Sequence, residues 1–211
     1  MDIEYKGANC IVIKNKKILI VVDPTSNVSV KEAQNPDAVI LATQDNFAPG
    51  EKDAKNFVIN MPGEYEYMDV GVRGIPVRSH IGADENAKNA TVYRVEIDGV
   101  RMAVVGHTVA PLNDDDLESI GVVDIVVIPV GGSGFTLDAK DAATIVRQIS
   151  PKVIIPTHFD DGRTEYEVPQ ESVDLFIKEM GCLHEKTPTL KIKSSSALPE
   201  VMTIYALNRT A

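Results

Sequence analysis

The first half of the chain alternates short apolar runs with turn residues, a pattern typical of β-strands. Residues 8–15 and 16–23 are two such runs on either side of a polar turn at Asn15, which predicts a β-hairpin. Residues 91–107 predict a second hairpin, in which Asp98–Gly99 is the turn signal. The first half is therefore expected to be rich in antiparallel strands.

One apolar run in this half does not alternate between apolar and polar residues. Residues 38–43 read AVILAT, and the β-branched residues in this continuous run predict a short strand buried on both faces. Residues 56–80 contain further strand material, interrupted by Pro62–Gly63 and by Gly74–Ile75–Pro76. These breaks predict several short strands in this segment rather than one long strand.

After Gly106 the pattern changes to an alternation of strands and helices. Asn113 followed by three aspartates predicts a helix start, because an N-cap and early carboxylates suit the positive end of a helix. The remaining predicted elements are strands at 123–130, 151–159, 189–194 and 201–207, and helices at 138–150 and 169–181, the last closed by Gly181. This order predicts a single α/β domain over residues 1–211.

Polar residues follow the predicted strands at the positions where α/β folds place their binding sites. His80, His107 and His158 each come directly after an apolar strand, and His184 is expected in a loop after the last long helix. A set of strand-end histidines predicts a metal or acid–base site. The alternative stays open, because a single histidine at a strand end is more often a structural hydrogen-bonding residue.

Other candidate motifs are better explained as structural features than as catalytic or ligand-binding sites. Cys182 and His184 have only a weak chelate spacing, and Asp114–Asp116 is the capped start of a helix. Residues 131–136 (GGSGFT) lack the Lys-Ser/Thr pair of a phosphate-binding P-loop, so tight chain reversal by glycine is the better interpretation. Ser133, in the same loop, has no assigned base.

Composition limits the protein's class and its partners. Aromatic residues make up only 5% and Trp is absent, so the core must be mostly aliphatic. No apolar run approaches the roughly 20 residues of a membrane span, and the start has no signal-peptide pattern, so we expect a cytoplasmic protein with Cys10 and Cys182 as reduced thiols. A formal charge of −10 without a basic stripe disfavours nucleic acid as a partner.

Four long segments, taken in order, resemble a known family. They are DIEYKGANCIVIKNKKILIVVDP (2–24), PGEYEYMDVGVRGIP (62–76), IPVGGSGFTLDAKDAA (128–143) and PKVIIPTHF (151–159). Together they resemble the metallo-β-lactamase superfamily, in the branch of metal-dependent hydrolases that includes ascorbate-6-phosphate lactonase-like proteins. The resemblance implies a four-layer α/β/β/α sandwich with its site on loops at one edge. The branch's usual histidine in the first segment is Ala8 here, whereas Asp23–Pro24 is kept.

The resemblance also implies a metal loop after the strand at 38–43, where active members carry H-x-H-x-D-H. In this chain the four ligand positions hold Gln44, Asn46, Ala48 and Pro49, with Asp45 between the first two. Amides are poor zinc ligands, and the side chains of Ala and Pro cannot coordinate a metal. We expect Gln44 and Asn46 to fill the former metal cavity with hydrogen bonds rather than to contact a ligand.

The other ligand positions of the family are partly kept. His158 matches the histidine of the I-P-x-H segment, and His107 stands where active members have the bridging aspartate. His80 lies near the third-ligand histidine, although Ser79 is the direct match if the alignment shifts by one residue.

Two hypotheses follow from these replacements. The first is a pseudoenzyme without a cofactor, which keeps the fold as a scaffold and binds a small molecule or a protein. The second is an active hydrolase of a lactone, phosphoester or related substrate, using zinc or manganese at a site rebuilt from His80, His107, His158 and Asp45. Nucleic-acid processing is a weaker third hypothesis, and a homo-oligomer is left open.

Overall fold

The structure is a computed structural model that describes residues 1–25, 28, 30–50, 55–80 and 88–210. Its strands form two sheets. The six-stranded sheet has the order β13-β1-β2-β3-β4-β5, with β1 Asp2–Gly7, β2 Cys10–Lys14, β3 Leu19–Val22, β4 Val39–Leu41, β5 Phe57–Ile59 and β13 Leu190–Lys191. The eight-stranded sheet has the order β12-β14-β11-β10-β9-β8-β7-β6, with β6 Gly63–Tyr67, β7 Val70–Val77, β8 Ala90–Ile97, β9 Val100–Val104, β10 Ile125–Pro129, β11 Val153–Thr157, β12 Leu183–Thr187 and β14 Thr203–Leu207.

Strand β4, inside the six-stranded sheet, is buried on both faces, as its continuous apolar run predicts. Because successive side chains of a strand point to opposite faces, Val39 and Leu41 of β4 join the core between the sheets while Ile40 faces the other way. In β2, Ile11 and Val12 divide between the faces in the same manner. The outward side chains pack in a second apolar cluster, beside the 3₁₀ helix Lys31–Gln34.

Three α-helices lie where the sequence predicts helices, but the last begins at Val173, four residues after its expected start at residue 169. They are α1 (Asp114–Ile120), α2 (Ala139–Ile149) and α3 (Val173–Met180). Asn113 caps α1 by accepting from Asp116 N at 2.8 Å, and Asp138 caps α2 by accepting from Asp141 N at 2.8 Å. Gly181 ends α3 with a positive φ of 62°. Helices α1 and α2 contact β7 and β10 of the eight-stranded sheet, and α3 contacts α2, which confirms the predicted mixed α/β fold of two sheets and helices.

Two sequence-based expectations about strands are wrong. Gly74–Ile75–Pro76 does not interrupt a strand but lies within β7, because beyond Gly74 this strand pairs with β8 alone and a proline is tolerated at such an edge position. His184 is not in a loop but on β12, an edge strand that pairs in parallel with β14. The residues of β12 are mostly polar and exposed, so the sequence gives no apolar alternation from which the strand could be recognised. No helix in the described ranges is long and apolar enough to cross a membrane.

Candidate functional site

The strand ends of the two sheets meet at one edge of the molecule. Strand β4 runs parallel to β3, and β10 runs parallel to β9 and β11, so within each sheet the loops after these strands leave on one side. Two backbone hydrogen bonds join the loops across the sheets: His158 N donates to Ala8 O at 2.6 Å, and Thr91 N donates to Thr43 O at 2.8 Å. Most of the predicted site residues therefore lie on a single edge.

His107 lies at the centre of this edge and is 1% exposed. Its ring packs against Phe47 (centroids 5.0 Å apart) and against His158 (4.9 Å). Burial, followed by the nearby His158 and His80, lowers the pKa of His107 to about 3, so its imidazole is neutral at pH 7. Both ring nitrogens are buried, and neither has a hydrogen-bond partner among the described residues.

His158 comes directly after β11 with a positive φ of 50°. Its Nδ1 lies 3.2 Å from Gln170 Oε1, while Gln170 Nε2 donates to Val168 O at 2.8 Å. Because that second bond fixes the orientation of the Gln170 amide, Nδ1 of His158 is the protonated nitrogen and Nε2 keeps a lone pair. Burial lowers the pKa of His158 to about 4.

His80 is joined to His107 through the backbone. His80 N donates to His107 O at 2.8 Å, and His80 Nδ1 is buried with no hydrogen-bond partner in the described part of the chain. The residue before it, Ser79, forms an antiparallel bridge with Thr108 and accepts a hydrogen bond from Gln44 Nε2 at 2.6 Å. The side chain at the first former ligand position thus binds Ser79, the alternative match for the third ligand.

The rest of the former metal loop is exposed or partly buried, and Asn46, Phe47, Ala48 and Pro49 line a cavity that His158 also lines. Asp45 is exposed, and its carboxylate accepts from Asn60 Nδ2 at 3.4 Å. Asn46 is also exposed, whereas Ala48 and Pro49 are partly buried. Among the residues that the structure describes, Gln44 makes the internal hydrogen bond that we expected of both amides, and Asn46 does not.

A buried polar network holds the base of this loop. The Asp23 carboxylate is fully buried and accepts from Thr43 N (2.7 Å), Thr43 Oγ1 (2.7 Å) and Asn9 Nδ2 (2.6 Å). Asn9 in turn accepts from Thr157 Oγ1 at 2.6 Å, one residue before His158. Burial raises the pKa of Asp23 to about 6, although all three hydrogen bonds favour the ionised carboxylate.

Glycine is required at two positions beside the histidines. A Cβ on Gly106 would overlap the Thr43 hydroxyl, and a Cβ on Gly131 would overlap the His158 carbonyl oxygen and Gln170 Oε1. The close approach of backbone to side chain at both points keeps the loops after β4, β9, β10 and β11 in contact.

A cavity of about 530 Å³ opens beside His158. Three aromatic side chains form part of its wall: Phe47, Phe135 and Tyr166. Sequence analysis missed these three residues, because their significance depends on how the loops fold together. Their only sequence signal is an aromatic side chain inside a polar loop in a chain with few aromatics.

The described residues do not fit a zinc centre in the arrangement observed. Zinc in proteins takes three or four ligands from His, Cys and carboxylates. Within the described ranges, no three such side chains are grouped as a metal site would require. The structure brings the His107 and His158 rings together, and it does not bring Asp45 to them. Ser133 is not paired with a histidine either, since its hydroxyl donates to Pro169 O.

Comparisons with known proteins agree with this fold. The family model described as a β-lactamase superfamily domain matches residues 2–158. A UPF0173 metal-dependent hydrolase of Lysinibacillus sphaericus is 25% identical over 211 residues, covering 83% of this chain and 92% of the relative. A UPF0173 metal-dependent hydrolase of Pyrococcus furiosus is 35% identical over 112 residues, covering 52% of this chain and 46% of the relative.

A solved structure from Thermotoga maritima, described as a Zn-dependent hydrolase of the metallo-β-lactamase superfamily, superposes with a TM-score of 0.75 at 21% identity. The alignment covers 98% of this chain and 97% of that chain. At this sequence identity the similarity shows a shared fold only. The matches to the relatives from Thermococcus onnurineus and Pyrococcus furiosus span 32% and 46% of those proteins' lengths. The family-model match nevertheless extends over most of the chain, which therefore belongs to the metallo-β-lactamase superfamily.

Proposed function

We propose that this chain is a non-catalytic member of its family, which keeps the fold as a scaffold and binds a small molecule in the cavity beside His158. The observation that supports this proposal most is the position of Phe47. Its ring packs against His107, the residue at the bridging position, so an apolar side chain occupies the surroundings in which active members need ligands.

The former ligand positions support the same proposal. Gln44 donates a hydrogen bond to Ser79, and Asn46 is exposed. Ala48 and Pro49 line the cavity with side chains that cannot coordinate a metal. Ala48 and Pro49 give this part of the cavity wall an apolar surface without metal ligands, which suits the binding of an organic molecule better than the activation of water by a bound metal.

Metal analysis of protein purified without chelators tests the proposal. We expect zinc, manganese and iron well below one equivalent in the parent chain, and no change in the variants His158→Ala and His184→Ala. His184 is the matched control because it is exposed on β12. One equivalent of any of these metals, lost in His158→Ala and kept in His184→Ala, would overturn the proposal.

An active metal-dependent hydrolase remains the second candidate, favoured by the unpartnered nitrogens of His107. Leaving a buried polar group without a partner costs about 1–3 kcal/mol, and a bound ion at His80, His107 and His158 would remove part of that cost. Its test is turnover of lactones, phosphodiesters and thioesters with added zinc or manganese. Activity that disappears in His158→Ala and persists in His184→Ala would support this candidate over the first.

A further inference from the structure

One ring nitrogen of His158, Nε2, has no hydrogen-bond partner among the described residues. Building on the proposed binding function, we infer that the cavity takes a neutral, largely apolar molecule that donates one O–H or N–H hydrogen bond to this nitrogen. The inference rests on the hydrogen bonds that fix the imidazole and on the residues that line the cavity around it.

The contacts of His158 fix both the position of its ring and the place of its proton. His158 N donates to Ala8 O at 2.6 Å, and Nδ1 lies 3.2 Å from Gln170 Oε1. The orientation of the Gln170 amide is set by its own donation to Val168 O at 2.8 Å. A neutral imidazole has one donor and one acceptor nitrogen, so the bond to Gln170 leaves Nε2 as the acceptor.

Glycine at position 131 keeps the Gln170 amide against the ring. A Cβ on Gly131 would overlap both Gln170 Oε1 and the carbonyl oxygen of His158. Any other residue would therefore push the amide away from Nδ1 and release the proton from its fixed place. The sequence thus provides for one tautomer of His158 at three points: Gly131, Gln170 and Val168.

The free nitrogen of His158 can be reached from the cavity. His158 lines the cavity and is 5% exposed. The nitrogens of His107 and Nδ1 of His80 are fully buried without a partner, but Nε2 of His158 does not belong to that group. Because it has no partner among the described residues either, it keeps part of its surface open, and a molecule in the cavity can donate to it.

The rest of the lining favours a neutral ligand. The cavity of about 530 Å³ has the size of small-molecule sites, and its lining contains no Lys or Arg among the described residues. An anion would therefore meet a lone pair and no cationic partner. Glu165 and Glu167 are exposed, whereas His158 is buried among apolar groups such as Phe135, so a cation that reached Nε2 would lose its hydration.

Two pairs of probes, each differing by one methyl group, test the inference at pH 7. Indole and phenol carry the donor hydrogen, and 1-methylindole and anisole lack it, while benzoate and benzylammonium supply the two charges. Titrations followed by ligand-observed NMR give each Kd. We expect indole and phenol to bind about threefold to tenfold more tightly than their methylated partners, and both charged probes to bind more weakly than phenol.

NMR of the ¹⁵N-labelled histidine rings observes the nitrogen itself. In the free protein we expect a proton on Nδ1 of His158 and none on Nε2. Indole should move the Nε2 signal of His158, because this nitrogen then accepts a hydrogen bond, whereas 1-methylindole should leave it in place.

Two variants assign the preference for donor probes to this nitrogen. His158→Phe keeps a ring and removes the acceptor, and Gln170→Leu removes the partner that holds the proton on Nδ1. Both should bring the binding of indole and 1-methylindole close to equality. The matched controls are His184→Phe and Gln34→Leu, which change exposed residues outside the cavity lining and should keep the parent's preference.

Each outcome separates this inference from the function beneath it. Equal binding of indole and 1-methylindole to the parent chain, or a proton on Nε2 in the free protein, overturns the inference and leaves the binding function standing. A preference for benzoate or benzylammonium over phenol, or failure of every probe to bind, also overturns the inference. One equivalent of metal with turnover overturns the proposed function itself, whatever the probes show.

Discussion

Thr43 is tied to Asp23 by two hydrogen bonds, one from its backbone amide and one from its hydroxyl, each 2.7 Å long. Thr43 is the last residue before the former metal loop. Asp23 comes directly after β3, the strand that pairs with β4. The loop therefore has a fixed starting point although its four ligand positions hold Gln44, Asn46, Ala48 and Pro49 instead of His and Asp. The same contact places a carboxylate in the interior, which has consequences for stability.

The first prediction concerns the pH dependence of that stability. Burial raises the pKa of Asp23 to about 6, so between pH 4 and 6 the folded chain holds a proton that the unfolded chain releases. The stabilisation from this group is complete below pH about 4 and is lost as the pH rises through 6, an effect of at most about 3 kcal/mol. Asp23→Asn should remove this loss.

Urea unfolding at pH 4, 5, 6 and 7 measures the effect as the difference in unfolding free energy between Asp23→Asn and the parent. The control is Asp37→Asn, because Asp37 is exposed. A difference that stays constant across this pH range in Asp23→Asn would show that the Asp23 carboxyl titrates alike in both states.

The second prediction concerns the Phe47 ring, which packs on His107. The Phe47 ring is one of the groups that exclude water from this imidazole, whose pKa burial lowers to about 3. Phe47→Ala should admit water and move the His107 pKa upward, towards its ordinary value near 6.5. A pH titration of the histidine ring signals by NMR measures the shift.

Phe57→Ala is the matched control for that experiment, since Phe57 is an exposed ring that stacks on Tyr67 rather than on a histidine. An unchanged His107 titration in Phe47→Ala would mean that other groups keep the imidazole dry.

The third prediction concerns acid sensitivity. A histidine with a lowered folded pKa contributes stability that is present above pH 6.5 and is lost as the pH falls. Between pH 7 and 4.5 this loss amounts to roughly 2–3 kcal/mol for His107, in the direction opposite to the Asp23 effect. His107→Leu should remove this loss. It should also be close to neutral at pH 7, because it replaces two buried ring nitrogens that have no hydrogen-bond partner among the described residues.

Unfolding free energies at pH 7 and pH 4.5 measure this prediction, with His184→Leu as the exposed control. Parallel acid-induced losses in His107→Leu and in the parent would contradict it.

The sequence was sufficient for the elements that carry strong local signals. The cap at Asn113 and the closing Gly181 mark helix ends, because each supplies a hydrogen bond or a φ value that few residues can provide. The continuous apolar run of β4 marks a strand buried on both faces. The edge strand β12 could not be recognised, because its pairing satisfies the backbone while its side chains stay in water.

The candidate site was predictable in its histidines and not in its surroundings. His107 and His158 were expected at strand exits, and the structure brings their rings to 4.9 Å. The cavity walls formed by Phe135 and Tyr166 depend on contacts between loops distant in sequence, which no local pattern encodes. The exposure of Asp45 likewise follows from the 3₁₀ turn of its loop, not from its residue type.

The last prediction is that the loop can be returned to metal binding. The combined variant Gln44→His, Asn46→His, Ala48→Asp and Pro49→His restores the family's four ligand types on a loop whose starting point Thr43 is already held by Asp23. With His158 it offers more than the three ligands that zinc requires, so we expect about one equivalent of zinc, measured by metal analysis and by titration against a competing chelator. Adding His158→Ala should weaken this binding, whereas adding His184→Ala should not.

Adding Phe47→Ala to the combined variant should strengthen zinc binding, because the ring packed on His107 occupies space beside the ligands. Zinc binding that appears only after Phe47 is removed would identify the ring, rather than the missing ligands alone, as the barrier to a metal in this chain.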